Sequence, residues 1–112
     1  MPDTIFGKIA RGELSADVVY QDDRAIAFRD IAPQAPTHIL VIPRKPIPRL
    51  SASEPGDDAL LGHLLGVARK VASEQGLGDF RLVVNDGAGA GQTVFHLHVH
   101  LLGGRPFGWP PG

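Results

Sequence analysis

Cysteine is absent from this 112-residue chain, and methionine, tryptophan and tyrosine occur once each. The missing thiol excludes disulfide bonds, thiolate catalysis, iron–sulfur clusters and cysteine-ligated zinc, and it fits a reducing compartment. Neither an internal repeat nor a long linker is present in the sequence. We therefore expect one domain over residues 1–112, long enough for a modest hydrophobic core.

Excess charge and long apolar runs are also missing. The formal net charge of −1 at pH 7 is too small to attract a nucleic-acid backbone or an anionic membrane. No run approaches the roughly 20 apolar residues of a membrane span. Residues Met1–Thr4 lack the basic and apolar regions of a signal peptide. We expect a soluble, cytoplasmic protein with neither a nucleic-acid nor a membrane partner.

The hydrophobic pattern predicts a short helix, three strands, a long helix and two further strands. The helices are predicted at 5–10 and 57–75, and the strands at 17–20, 24–29, 37–42, 80–85 and 94–102. Short links between consecutive strands favour an antiparallel five-stranded meander, so the predicted class is α+β. The tail at 105–112 is too rich in proline and glycine for regular structure.

Three histidines alternate with apolar residues in the last predicted strand, at His96, His98 and His100. Because strand side chains alternate between faces, the three imidazoles are expected on one face. The opposite face would anchor the core through Phe95, Leu97, Val99 and Leu101. Imidazole titrates near neutral pH and serves as acid, base, nucleophile or metal ligand, so this strand is the candidate active site.

A glycine-rich loop at 86–92 leads into the histidine strand. Its glycines allow backbone N–H groups to approach an anion, although a flexible hairpin would have the same composition. The loop matches neither a Walker motif nor a dinucleotide fingerprint. Its position places N–H donors and the Thr93 hydroxyl beside three imidazoles, which favours phosphoryl chemistry.

Two further groups of residues are candidates for the same site. His38, on the third predicted strand, could orient or protonate a partner, although a lone strand histidine is more often structural. Asp30 could accept the ribose hydroxyls, although an aspartate at this position is more often a turn cap. A slot for a base could be formed by Phe6, Ile9, Phe28 and Ile31, which the pattern alone would place in the core.

The run His96–Leu102 matches the His-x-His-x-His-hydrophobic-hydrophobic signature of the histidine-triad (HIT) superfamily. The segments Asp3–Ile9, Asp30–His38, Val83–Asn85 and Trp109–Gly112 resemble its Hint branch, whose members are homodimeric purine nucleoside phosphoramidases. The resemblance implies a HIT-like sheet that is extended across a homodimer. It also implies hydrolysis of the P–N bond of adenosine and guanosine 5′-phosphoramidates, with no cofactor.

The resemblance also implies a role for each matching residue. His98 matches the nucleophile that forms a covalent nucleotidyl-imidazole, and His96 matches a residue that orients it. His100 and His38 match partners in phosphate contact and proton relay. Asp30 matches the ribose ligand. The phosphate loop is matched by Asn85, Gly91, Gln92 and Thr93, and the purine site by Phe6, Ile9, Phe28 and Ile31.

Three positions depart from the pattern of the branch. Thr93 stands where serine is usual beside the leaving group, so the hydroxyl is kept and a methyl group is added. Ala32 stands where serine is common. Some bacterial relatives carry a Cys-x-x-Cys zinc site near the N-terminus, and the segment Thr4–Gly7 cannot form one.

Two other functions compete with this prediction. One is a nucleotide-binding regulatory or scaffold protein with vestigial hydrolase activity. The other is a three-histidine zinc hydrolase, since three imidazoles can support an open tetrahedral zinc site. Successive same-face residues on a strand lie roughly 6.6–7 Å apart, which separates His96 from His100 by about 13 Å. That spacing disfavours one shared ion, so no metal is expected.

A homodimer is expected from the helix and the sheet as well. Gly62 and Gly66, one turn apart in the long helix, suggest close approach of another backbone, although tolerated surface glycines would look the same. An antiparallel sheet also leaves an edge strand to be covered. One two-fold contact would cover both this strand and the helix surface at the two glycines. Phe107 and Trp109 lie in the tail, which we expect to cross near the partner subunit's active site.

Overall fold

Five antiparallel strands form one open sheet in the computed structural model, which describes residues 3–112. The helices are α1 (Ile5–Ala10) and α2 (Asp58–Glu74), and the strands are β1 (Val18–Gln21), β2 (Ala25–Arg29), β3 (Thr37–Pro43), β4 (Phe80–Val83) and β5 (Val99–Gly103). Three single-turn 3-10 helices lie at Leu50–Ala52, Pro55–Asp57 and Ala88–Ala90. The α+β class and the order of the elements are confirmed.

The strand order across the sheet is β1-β2-β3-β5-β4. The first three strands form the predicted meander, with the turn between β1 and β2 held by Asp22, whose Oδ1 accepts the N–H groups of Arg24 and Ala25 at 2.8 Å each. The last two strands enter in the reverse order, because α2 carries the chain from β3 to the far edge before β5 returns beside β3. Consequently β5 lies between two strands, and His100 pairs with Leu40 of β3.

The predicted histidine strand is shorter than expected, since β5 begins only at Val99. The residues before it use other partners: the Leu97 N–H donates to the Ile47 carbonyl at 2.7 Å instead of extending a ladder. Leu97, Val99 and Leu101 are buried as predicted. Phe95 is 39% exposed, so its assignment to the core was wrong. Likewise β4 ends at Val83, two residues earlier than predicted.

Helix α2 covers one face of the sheet with an apolar stripe formed by Leu64, Val67, Ala68, Val71 and Ala72. Leu65, on the same helix, is 52% exposed and lies outside this stripe. Among the residues that the structure describes, no backbone outside the helix lies within 4 Å of the positions that a Cβ would take at Gly62 and Gly66. Within residues 3–112 no helix is both long and apolar enough to cross a membrane.

Helix α1 covers the opposite face, over a smaller area. Its N-cap is Thr4, whose Oγ1 accepts the Gly7 N–H at 2.9 Å. Alternation along β3 divides the core, since Ile39 and Val41 belong to the cluster under α2 whereas Leu40 and Ile42 belong to the cluster under α1. A helix of six residues cannot cover the whole face, so part of the sheet beside α1 stays open.

Candidate active site

A cleft of about 630 Å³ opens on the face of the sheet that α1 covers. The loop after α1, the end of β2 and the residues around β5 form its walls. Eight of the residues predicted for the nucleotide site line it: Phe6, Ile9, Phe28, Asp30, Ile31, Thr93, His98 and His100. Ile31 lies at the rim, where its side chain is fully exposed. Aromatic side chains and two imidazoles therefore share one cavity.

His98 has a defined tautomer in this cleft. Its Nδ1 lies 2.8 Å from the carbonyl oxygen of His96, and because a carbonyl only accepts, Nδ1 carries the proton. The neutral ring then keeps its lone pair on Nε2. The ring of Phe6 packs edge-on against His98, with 5.0 Å between the ring centroids. The arrangement supplies an oriented neutral nucleophile beside an apolar wall.

His96 lies outside the cleft lining and is 2% exposed. Its Nε2–H donates to the carbonyl oxygen of Pro43 at 2.7 Å. The side chain is thus anchored on β3, while the backbone carbonyl of the same residue holds His98. The backbone carbonyl of His96, and not its imidazole, is therefore the group that contacts the His98 ring.

His38 and His100 form a directed chain of hydrogen bonds. The Gln34 N–H donates to Nδ1 of His38 at 3.0 Å, so the proton of the neutral His38 ring is on Nε2. That Nε2–H donates to Nδ1 of His100 at 2.9 Å. The neutral His100 ring therefore carries its own proton on Nε2, and it can donate that proton to a ligand in the cleft.

Burial lowers the pKa of all four imidazoles, at His38, His96, His98 and His100. For His98 the hydrogen bond to the His96 carbonyl and the charge of Asp30 oppose the decrease in pKa. The pKa of His100 is lowered to about 4, because the neighbouring imidazoles of His98 and His38 add to the effect of burial. The site is therefore uncharged on its imidazoles at neutral pH, as a histidine nucleophile requires.

Asp30, His38 and His100 place one potential metal ligand each within 4.8 Å of one another. The hydrogen bonds do not fit a metal site. Because the lone pair of His38 accepts the Gln34 N–H, its Nε2 has none for an ion, and the His38 and His100 ligand atoms already share a hydrogen bond. Asp30 is also engaged, with Oδ1 accepting the Ala32 N–H at 2.8 Å and Oδ2 3.5 Å from Nε2 of His38.

Three residues predicted for the phosphate loop do not line the cleft, namely Asn85, Gly91 and Gln92. Gln92 is 3% exposed, and its side chain is used inside the protein. Its Oε1 accepts the Gly87 N–H at 2.8 Å, and its Nε2 donates to the carbonyls of Pro48 and Val94 at 2.8 and 3.1 Å. Gln92 therefore shapes the loop, and its side chain does not reach a ligand in this conformation.

The cleft also contains residues that the sequence pattern did not single out. The segment 14–17 forms one wall, together with Arg29, Leu40 and Val94. Arg29 bonds Oε1 of Gln75 at 2.8 Å and lies 3.5 Å from Asp17. Periodicity carries no signal for this wall. The position of this wall follows from the pairing of β1 with β2, which places the connection after α1 along the edge of the cleft.

Comparison with known proteins places this site in a family. Residues 11–107 match the sequence pattern of the HIT domain. The chain belongs to the HIT family. This HIT protein is 64% identical over 111 residues to an uncharacterized HIT-like protein of Synechocystis, covering 98% of this chain and 97% of the relative.

Solved structures of HIT proteins share the whole fold. A HIT family hydrolase from Legionella pneumophila superposes with a TM-score of 0.95 at 49% identity, covering 98% of this chain and all of that one. A histidine triad protein from Clostridium difficile superposes with a TM-score of 0.92 at 41% identity, covering 96% of each chain. The predicted superfamily is confirmed, and the present HIT protein is a hydrolase-like member. The assignment to the Hint branch stays a prediction.

Proposed function

We propose that this HIT protein hydrolyses the P–N bond of purine nucleoside 5′-phosphoramidates, of adenosine and of guanosine, to the nucleoside monophosphate and an amine. The observation that carries the proposal is the tautomer of His98. Its Nδ1–H is held by the His96 carbonyl, which leaves the Nε2 lone pair on a ring that lines the cleft. A neutral imidazole in this state can attack phosphorus without a separate base.

The reaction proceeds by two displacements at phosphorus. In the first, Nε2 of His98 forms a bond to phosphorus while the P–N bond breaks, and the amine leaves once its nitrogen has been protonated. Thr93 lines the cleft, and its hydroxyl is proposed to relay that proton from solvent. In the second, water attacks phosphorus, the P–Nε2 bond breaks, and the proton of the water passes to solvent. His98 returns to its starting tautomer.

The remaining residues of the cleft support binding of a nucleotide. Phe6 and Phe28 meet edge to face with 5.4 Å between their ring centroids, and they offer an apolar surface to a purine. Asp30, with one fifth of its side chain exposed, offers carboxylate oxygens to the ribose hydroxyls. Nε2–H of His100 can donate to a phosphoryl oxygen, where negative charge develops during the displacement.

Trapping of the covalent intermediate tests the proposal. Rapid quenching with an adenosine 5′-phosphoramidate, followed by mass spectrometry of peptides, should locate an AMP adduct on His98. His98→Ala should lower turnover by about 10³-fold or more while the fold and AMP binding are retained. A variant that keeps more than a few per cent of the activity contradicts the assignment. Tight AMP binding without any adduct or turnover would favour the regulatory or scaffold function.

We also propose that two copies form a homodimer through β4 and α2. β4 is an edge strand with exposed apolar side chains at its two ends, Phe80 at 40% and Val84 at 37%, and α2 exposes Leu65 at 52%. The α2 positions Gly62 and Gly66 leave room for the close approach of a second backbone. Pairing of this edge with its copy would extend the sheet and bury the apolar residues.

The C-terminal tail is proposed to act across that dimer. Phe107 is held by its own chain, between the guanidinium groups of Arg81 and Arg105 at 5.1 and 4.3 Å from the ring centroid. Trp109, by contrast, is 86% exposed. We propose that the tail lies near the partner subunit's active site and helps to select the leaving amine.

Truncation tests the tail and the dimer together. Deletion of residues 105–112 should change the ratio of kcat/KM for two phosphoramidates with amines of different size more than it changes AMP affinity. Light scattering should report a dimeric mass for the full chain. A monomeric mass, or an unchanged substrate ratio after truncation, contradicts the proposal.

A further inference from the structure

The segment Pro43–Arg49, here called the proline segment, is joined to the chain that leads into His98 at four successive points. Three are hydrogen bonds to its carbonyls: from Nε2 of His96 to Pro43, from the Leu97 N–H to Ile47, and from Nε2 of Gln92 to Pro48, at 2.7, 2.7 and 2.8 Å. The fourth is an ion pair between Arg49 and Asp86, at the start of the glycine-rich loop.

Arg49 fixes the first turn of that loop. Its Nη2 and Nε lie 3.1 and 3.3 Å from the two carboxylate oxygens of Asp86, which also accepts the Ser51 N–H at 3.0 Å. The guanidinium lies against Gly87, where an added Cβ would be 2.6 Å from Nη2. Gly87 has a φ of +96°, so the backbone favours glycine here, and an added Cβ would displace the guanidinium of Arg49.

Gln92 extends this constraint to the end of the loop. Its Oε1 accepts the N–H of Gly87, on which Arg49 lies, and its Nε2 donates to the carbonyl of Val94. One buried side chain thus sets the distance between the start of the loop and the cleft. Together, Arg49 and Gln92 determine where Thr93 and Val94 are placed.

Thr93 and Val94 line the same cleft as His98. Their backbone N–H groups donate to no acceptor within the part of the chain from residue 3 to residue 112. Unpaired N–H groups beside a nucleophilic imidazole are suited to phosphoryl oxygens. We infer that Arg49 and Gln92 are positioning residues for phosphate recognition, which keep these two N–H groups available to the phosphate. This inference rests on the proposed function.

The alternative is that Arg49 and Asp86 form an ordinary surface ion pair. Their side chains are 40% and 32% exposed, and exposed pairs contribute little to stability. The two possibilities differ in what the pair controls. A positioning pair affects the phosphate of a bound nucleotide and leaves the nucleoside part unaffected, whereas an ordinary pair affects neither.

Calorimetric titration of AMP and adenosine against Arg49→Ala separates these possibilities. We expect affinity for AMP to fall about tenfold, because the loop loses its register, while affinity for adenosine stays within about twofold. Arg49→Lys should recover part of the AMP affinity, since it restores one contact to Asp86 but cannot lie flat on Gly87. Arg69→Ala, an exposed arginine on α2, is the matched control and should bind both ligands as the wild type does.

The outcomes are distinct. An unchanged ratio of AMP to adenosine affinity in Arg49→Ala overturns the inference, and so does an equal loss for both ligands together with a lower Tm, which indicates a structural role only. A wild-type protein that binds AMP no more tightly than adenosine contradicts the proposed function itself, and the inference with it.

Discussion

The two faces of the sheet differ in how completely they are covered. Helix α2, with 17 residues, closes one face over a continuous apolar cluster, whereas α1, with six residues, covers only part of the other. The same strands supply both faces. Leu101 of β5 is fully buried under α2, and its neighbour His100 lines the cleft.

Because of this difference, alternate residues of β5 have different roles, some in the stability of the fold and others in the candidate active site. The β5 side chain of Leu101 points to the closed face and packs in the cluster under α2, whereas His100 points to the open face and lines the cleft. The buried imidazoles of His38 and His100 are accommodated on the open face because they accept hydrogen bonds, His38 from the Gln34 N–H and His100 from Nε2 of His38. Substitutions at adjacent positions of β5 should therefore affect different properties, namely stability at one position and activity at the next.

Leu101→Ala should produce the largest effect on stability. Leu101 has no exposed surface, so the substitution leaves a cavity against α2, and we expect the free energy of unfolding to fall by about 2–5 kcal/mol. Urea denaturation measures the loss. The activity of the folded fraction should be close to that of the wild type, and a selective loss of kcat in fully folded protein would break the separation of the two faces.

His100→Ala should show the opposite pattern. Loss of the Nε2–H donor should lower kcat for phosphoramidates by about 10²-fold. The free energy of unfolding should change less than in Leu101→Ala, because the lost side chain borders the cleft. Phe95→Ala, at an exposed position close in sequence, is the control and should keep its kcat. Wild-type turnover in His100→Ala contradicts the assigned role.

The pH dependence should come from the open face as well. The folded protein holds the pKa of His38, His96, His98 and His100 below the ordinary value of about 6.5. As the pH falls below about 6.5 the unfolded chain binds protons that the folded chain does not, so stability decreases, by up to about 1.4 kcal/mol per pH unit for each imidazole. For His100 this loss extends to its folded pKa of about 4.

Activity should follow the same direction, because the nucleophile must be neutral. The acid limb of kcat/KM should lie below pH 6.5, and thermal denaturation should show a falling Tm over the range in which stability is lost. A stability that is constant from pH 7 to pH 5, or an acid limb above pH 6.5, contradicts the assigned burial and tautomers.

Removal of metal should have the smallest effect, since none is expected. The lone pair of His38 is occupied by the Gln34 N–H, so the cluster of His38, His100 and Asp30 offers no complete ligand set. Prolonged incubation with EDTA should leave kcat unchanged. Loss of activity on chelation that zinc restores would contradict the proposed mechanism.

The sequence predicted the elements of the fold well because amphipathic periodicity is local. It predicted the wrong order for β4 and β5, because that order depends on where α2 crosses the sheet. The histidine strand was also predicted to be too long. His96 and Leu97 keep the alternating pattern of side chains, but they hydrogen-bond to the proline segment and not to a neighbouring strand. Pairs distant in sequence, such as Arg49 with Asp86, carry no local pattern and required the structure.

The proline segment is also an asymmetric partner for hydrogen bonding. Pro43, Pro46 and Pro48 keep their carbonyls but have no N–H, so at these positions the backbone can accept and cannot donate. Beyond Pro43, the last residue of β3, the segment cannot continue as a regular strand pair, and its prolines are complementary only to a neighbour that supplies donors. Here the chain before His98 supplies them, from side chains as well as from the backbone. Because these prolines lack amide protons, hydrogen bonds at their positions run only from the chain before His98 to the proline segment. The same lack of amide protons disfavours competing strand registers beside His98.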